Sequence, residues 1–204
     1  MHPIDAAAAP DYPAEIALVL SNAPGAGGLD RARAAGVAAM TIDHRSFGKD
    51  DAAKAAFEDA VHSALVAAGA DLVCLAGFMR MLSPGFVARW QGRLVNIHPS
   101  LLPAFKGLDV HAAMLRAGVK IAGCTVHYVS AEMDAGPIIG QAAVPVLADD
   151  TPETLAARIL EQEHRLYPEC VRRIALGEAP IGAGGVVNLG GRASGALLNP
   201  PPSR

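Results

Sequence analysis

Leu72-Val73-Cys74-Leu75-Ala76 carries no polar side chain, and it sits between an alanine-rich stretch and a glycine turn. A run so short and so apolar reads as a strand buried on both faces, the kind that fills a parallel sheet. Comparable runs recur at 16–20, 37–42, 94–98, 121–129 and 138–146. Helical patterns fall between most of them. One covers 29–35 and is closed by Gly36. An alanine-rich one covers 50–68 and is closed by Gly69. A third covers 110–117. A long helix is predicted from Thr151, as N-cap with Pro152 in the first turn, to about Leu176. This alternation predicts an α/β fold: a Rossmann-like, open, mostly parallel sheet with helices on both faces. Residues 1–176 form one domain on this reading. From Gly177 onward Gly and Pro dominate, which predicts a loosely packed tail over 177–204 with room for a small hairpin.

Composition narrows the function. Of 204 residues, 51% are hydrophobic and 18% charged, enough apolar material for one sizeable core. Net charge is −3 and no basic stripe occurs, so nucleic acid is not the expected partner. Cys74, Cys124 and Cys170 lie far apart without metal-ligand spacing. They read as reduced thiols of a cytoplasmic protein, and Cys74 and Cys124, in strand-like runs, as core residues. The start Met1-His2-Pro3-Ile4-Asp5 has neither a basic cluster nor a long apolar run, so no signal peptide is expected, and no apolar run reaches membrane-spanning length.

The chemistry concentrates in Asn96-Ile97-His98-Pro99-Ser100-Leu101-Leu102-Pro103. Residues two apart on a strand project to the same side, so Asn96 and His98 emerge together, and Pro99 ends the ladder. That places them at the carboxyl edge, where open α/β sheets bind ligands. An amide donor beside an imidazole suits stabilising and protonating an oxyanion in acyl transfer. Asp134, in Asp134-Ala135-Gly136-Pro137, is open to two readings: an Asx-type turn former, or a carboxylate that favours protonated His98 and holds a proton-carrying water. His127 shares a strand face with Thr125 and reads as a hydrogen-bonded core residue. His98, His111 and His127 show no paired metal spacing, so no metal is expected. Ser100 lies in no nucleophile elbow. The stretch 77–84 is apolar yet turn-rich. It reads either as core lining with a helix cap at Ser83, or as a loop whose backbone reads a flat heterocycle between walls of Phe78, Met81 and Leu82. Gly25-Ala26-Gly27-Gly28 matches no phosphate-loop pattern.

Four of these motifs, taken in order, resemble the phosphoribosylglycinamide formyltransferases: Ala76-Gly77-Phe78-Met79-Arg80, Asn96 to Pro103, Gly123-Cys124-Thr125-Val126-His127, and Asp134-Ala135-Gly136-Pro137-Ile138-Ile139. The resemblance covers roughly residues 4–176, nearly all of the 1–176 domain, which it implies is catalytic. It implies transfer of a formyl group from N10 of 10-formyltetrahydrofolate, the co-substrate, to the amine of glycinamide ribonucleotide in purine (IMP) biosynthesis, without metal. Carried over, Asn96 and His98 polarise the formyl oxygen and supply a proton, and Asp134 tunes the histidine and organises water. Phe78, Met79, Arg80, Met81 and Leu82, with Asn96, line the folate site, Lys54 meets the folate, and Glu163 contacts the nucleotide sugar. The protein would be a cytoplasmic monomer or homodimer with small-molecule substrates only.

The resemblance also carries a departure. Members of the family open with a strand and a Gly-Ser-Asn loop that receives the substrate phosphate, and Met1 stands about where that loop ends. The expectation is a start assigned at an internal methionine or a truncated protein, with 204 residues poorly stable and better suited to the folate half than to the nucleotide half. Two rivals stay open. One is the formyltetrahydrofolate hydrolase, which usually reads His-Ser-Phe-Leu-Pro where this chain has His98-Pro99-Ser100-Leu101-Leu102-Pro103. The other is a non-catalytic folate-binding module.

Overall fold

A computed structural model describes residues 3–187. In chain order the elements are α1 (Pro3–Ala7), β1 (Val19–Ser21), α2 (Gly27–Ala34), β2 (Ala39–Thr41), a short 3-10 turn (His44–Ser46), α3 (Asp51–Ala67), β3 (Val73–Leu75), α4 (Pro84–Arg89), β4 (Leu94–His98), α5 (Val110–Ala117), β5 (Ile121–Tyr128), β6 (Ile138–Pro145) and α6 (Pro152–Ala175). The helices end where local chemistry stops them. Asp50 caps α3 by accepting the Ala53 N–H at 2.7 Å, and Gly69 closes it at φ 71°. At α6, Thr151 and Thr154 form a reciprocal capping box.

The strands form two ladders, β1-β2 and β3-β4-β5-β6. β1 with β2 and β3 with β4 pair in parallel, while β4 with β5 and β5 with β6 pair antiparallel. The single open sheet expected from the sequence is therefore divided, with no ladder joining its two parts among the described residues. The division changes β3. Val73 is buried, but Cys74 is exposed and Leu75 only half-buried, so the run is not covered on both faces and Cys74 is not a core residue. The reason is that β3 has a strand neighbour on the β4 side only. Cys124 and Cys170 are buried.

The two faces of the four-stranded sheet differ. On one, Val95, Val126, Tyr128 and Ile139 pack against Tyr167 and Cys170 of α6, while Cys124 and Val144 pack with Leu155 and Ile159 of the same helix. This face is apolar along its length, and each fully buried aliphatic side chain there stabilises the fold by roughly 1.5–3 kcal/mol. Gly140 lets α6 approach, since a Cβ there would stand 2.9 Å from the Cys170 Sγ. On the other face, Val73 and Leu94 pack against Leu65 of α3, Phe86 and Val87 of α4, and Trp90. That cover ends at Leu94. The next side chains on the same face of β4 are Asn96 and His98.

Beyond α6, the structure describes residues 177–187 of the expected tail. Ala179 is buried and its carbonyl accepts the Tyr128 hydroxyl at 2.8 Å, and Ile181 bridges Val187 antiparallel. The rest of the expected tail, from 188 to 204, lies outside the described residues.

Gly123 of β5 has no room for a side chain: a Cβ would meet the Ala142 carbonyl oxygen of β6 at 2.0 Å. Gly123→Ala is expected to force the two strands apart and to cost about 3 kcal/mol, read as a lower urea midpoint. An unchanged midpoint would contradict this close approach.

Candidate active site

Antiparallel register sets Asn96 opposite His127 and His98 opposite Thr125, so the four side chains share the face that α3 and α4 leave uncovered. Each is held from below. The Thr125 hydroxyl donates to the Ser100 carbonyl at 2.7 Å and accepts the Leu102 N–H at 3.0 Å, fixing the chain just after His98. Gln141 adds donations to the Leu102 carbonyl and to the Thr125 hydroxyl. Ser100 is fully buried and donates to the Ala104 and Phe105 carbonyls, which makes it part of the loop's frame. Phe105, at the end of this loop, has φ 54°. Its carbonyl accepts from His98 Nε2 at 2.9 Å.

Asp134 closes the cluster. It sits in the β5–β6 connection at φ 49°, with its side chain only 12% exposed. One carboxylate oxygen lies 3.5 Å from His98 Nδ1 and accepts the Gly107 N–H at 2.9 Å; the other lies 3.8 Å from His127 Nε2. Gly107 and His98 are distant in sequence, so its carboxylate bridges the β5–β6 connection to the loop after β4 and does not form a local Asx turn. The connection takes this path because of Gly136, where a Cβ would stand 1.8 Å from the Tyr128 carbonyl oxygen. Both ring nitrogens of His98 thus face acceptors, the Phe105 carbonyl on one side and the Asp134 carboxylate on the other.

His127 is the buried, hydrogen-bonded residue its strand position suggests, and one of its partners is Asn96. It is buried, and its Nδ1 donates to its neighbour's carbonyl, that of Tyr128, at 2.9 Å. That tautomer leaves Nε2 as an acceptor, facing the Asn96 side-chain nitrogen at 3.4 Å. Asn96 therefore presents its NH2 toward His127 with one N–H left over for a ligand. Burial, the largest influence, holds the His127 imidazole below its ordinary range; the Tyr128 hydrogen bond and Asp134 pull the other way, and His98 adds to the lowering. His111 is also held low, by burial and then by the nearby His98. Among the described residues, no group of three or more His, Cys, Asp or Glu side chains could hold a metal ion.

The loop at 76–82 flanks this cluster, because Leu75 pairs with Asn96 in the β3–β4 ladder. Met79 and Met81 are exposed, Phe78 is half-buried, and Leu82 packs onto the core beneath, so Leu82 is partly structural. Among the described residues, the backbone N–H and C=O groups of residues 77–82 make no hydrogen bond within the protein, which leaves them open to a ligand. Ser83 caps α4, accepting the Phe86 N–H at 3.1 Å. Arg80 lies over the Phe57 ring at 5.6 Å, and both line a cavity of about 90 Å³ with Lys54 and Lys49. Glu163 is not part of the Asn96–His98–Asp134 cluster. It lies on α6, makes no hydrogen bond or ion pair with those three, and burial raises its carboxyl above the usual range.

The sequence singled out Asn96, His98 and Asp134, and the fold brings them together. It gave no signal for the Asn96–His127 pairing or for the Phe105 carbonyl on His98, since both depend on register and loop path.

A family profile described as formyl transferase matches residues 2–171. Against the trifunctional purine biosynthetic protein adenosine-3 of Gallus gallus the chain is 48% identical over 174 residues, 85% of this chain and 17% of that protein. The chain thus spans less than a fifth of that relative's length. Against the phosphoribosylglycinamide formyltransferase of Escherichia coli it is 44% identical over 165 residues, 81% of this chain and 76% of the relative. The crystal structure of phosphoribosylglycinamide formyltransferase from Brucella melitensis superposes with a TM-score of 0.78 at 53% identity, covering 84% of this chain and 86% of that one.

Because the folded chain keeps His127 neutral where an unfolded chain would protonate it, stability is expected to fall as pH drops below the ordinary imidazole range, near 6.5. NMR titration should find His127 as the neutral Nδ1–H tautomer at a pH where free imidazole is half charged; a half-protonated ring there would contradict the assignment.

Proposed function

The chain belongs to the formyl transferase family, and on that footing we propose that it transfers the formyl group of 10-formyltetrahydrofolate to the amine of glycinamide ribonucleotide, a step of purine biosynthesis. The observation that carries this reading is the Asn96–His98–Asp134 cluster, which opens at the end of β4 beside a loop with unpaired backbone groups. The amine attacks the formyl carbon and forms a tetrahedral intermediate. The free N–H of Asn96 and the His98 Nδ1, which lies 3.5 Å from Asp134 without a hydrogen bond to it, stabilise its oxyanion. The C–N10 bond then breaks, and the proton lost by the amine reaches the folate nitrogen through His98 or through a water held by Asp134.

Binding follows the same geometry. The unpaired backbone of the 77–82 loop reads the edge of the folate heterocycle, with Phe78, Met79 and Met81 as apolar neighbours. Lys54 and Arg80, on the rim of one cavity, receive the acidic end of the folate. Glu163 meets the sugar hydroxyls of the nucleotide. No step in this scheme calls for a metal ion. A cytoplasmic location and a monomeric or homodimeric state belong to the same reading, and no helix among the described residues is long and apolar enough to cross a membrane.

His98→Ala is expected to lower kcat by roughly 10²–10⁴, with folate affinity little changed. The assay follows formylated product and free formate together. Wild-type rates in the variant would remove His98 from the mechanism, and formate release without the nucleotide would favour hydrolysis over transfer.

A further inference from the structure

Glu58 is a buried carboxylate that the proposed chemistry does not use. It stands on α3 with 4% of its surface exposed, and no Lys or Arg forms an ion pair with it among the described residues. A buried carboxylate needs hydrogen-bond donors in place of water. Glu58 finds both on one residue: it accepts the Ser83 N–H at 2.8 Å through one oxygen and the Ser83 hydroxyl through the other. Ser83 is the last residue of the loop that begins after β3, and the same hydroxyl oxygen caps α4. One residue earlier on α3, Phe57 lies beneath the Arg80 guanidinium. One turn earlier, Lys54 lines the cavity that Arg80 also lines. A single face of α3 therefore grips the loop at residues 80 and 83.

From this geometry we infer that Glu58 is a positioning residue for the folate co-substrate, fixing the path of the 77–82 backbone through Ser83. The inference rests on the folate reading of that loop. Among the described residues the loop's backbone groups make no hydrogen bond, so along 77–82 only the side chains of Arg80, over Phe57, and Leu82, on the core, hold it. The backbone itself is hydrogen-bonded only at the two ends, by the β3 ladder and at Ser83. Glu58→Ala leaves the Ser83 N–H and hydroxyl without their acceptor and frees the far end. The loop then orders only when folate binds, and folate affinity bears that cost.

The test is isothermal titration calorimetry with tetrahydrofolate on the full chain, paired with steady-state kinetics. Glu58→Ala should raise the Kd by about tenfold or more, the effect of losing hydrogen bonds to a charged group. At saturating folate, kcat should fall by less than about threefold, and KM for the nucleotide should stay within about twofold of wild type. Glu58→Gln keeps an acceptor for the N–H and a polar partner for the hydroxyl, and it should restore most of the affinity. Ser83→Ala, which keeps the N–H contact, should give a smaller rise, and it carries the test if Glu58→Ala does not fold. Unchanged folate affinity in Glu58→Ala or Ser83→Ala would overturn the inference, as would a parallel loss of affinity for both substrates. A wild-type chain that binds no tetrahydrofolate would overturn the folate reading of the loop itself, a distinguishable failure.

Discussion

The antiparallel pairing of β4 with β5 is the constraint on which the rest of the site depends. It puts Asn96 against His127 and His98 against Thr125, and so assembles one polar face from two strands separated by about thirty residues. Shifting the register by one residue would turn Asn96 and His98 toward α6, into the apolar layer of Val126 and Tyr128. That layer holds the register, because Val95, Val126 and Tyr128 can be buried together only in this alignment. Hydrophobic burial on one side of the sheet thereby specifies the polar geometry on the other.

Two close backbone approaches complete the arrangement. Gly123 lets β5 and β6 run side by side, and Gly136 lets the chain between them fold back against Tyr128. The second brings Asp134 under His98 and His127, where a bulkier residue in place of Gly136 would push the turn outward. The loop after β4 is tied down separately, by Thr125, Gln141 and Ser100, so that the Phe105 carbonyl meets His98 from the other side. Preorganised groups of this kind stabilise developing charge without having to reorganise during reaction, which is the property an oxyanion site needs.

The opposite wall of the site is built differently. There residues 77–82 are exposed or half-buried and, among the described residues, their backbone makes no hydrogen bond; the loop is held at its ends and by the side chains of Arg80 and Leu82. On the function proposed above, a rigid floor of strands carries the chemistry and a loop anchored by a buried carboxylate carries the recognition. The floor needs sub-ångström placement, whereas the loop needs only a consistent direction for its donors and acceptors.

Much of this was legible in the chain itself. Short apolar runs located the strands, an alanine-rich stretch α3 and the Thr151–Pro152 cap α6, with β4 and α5 matching their expected bounds, because those segments form from contacts between near neighbours and from caps a few residues away. Asn96 and His98 were readable as a pair because strand alternation is a local rule. Cys74 was misjudged because burial of a strand depends on what flanks it, and β3 has a strand on one side only. Asp134 stayed open to two readings because Gly107 and His98, two of the residues it meets, lie 27 or more positions away. His127 and Glu58 escaped for the same reason: one owes its role to register, the other to the packing of α3 against α4. The sequence by itself determined which segments are helix and strand and which residue types could do acid–base chemistry. Only the tertiary structure decided which of them meet, since contacts distant in sequence follow from how apolar faces are buried together and leave no local pattern to read.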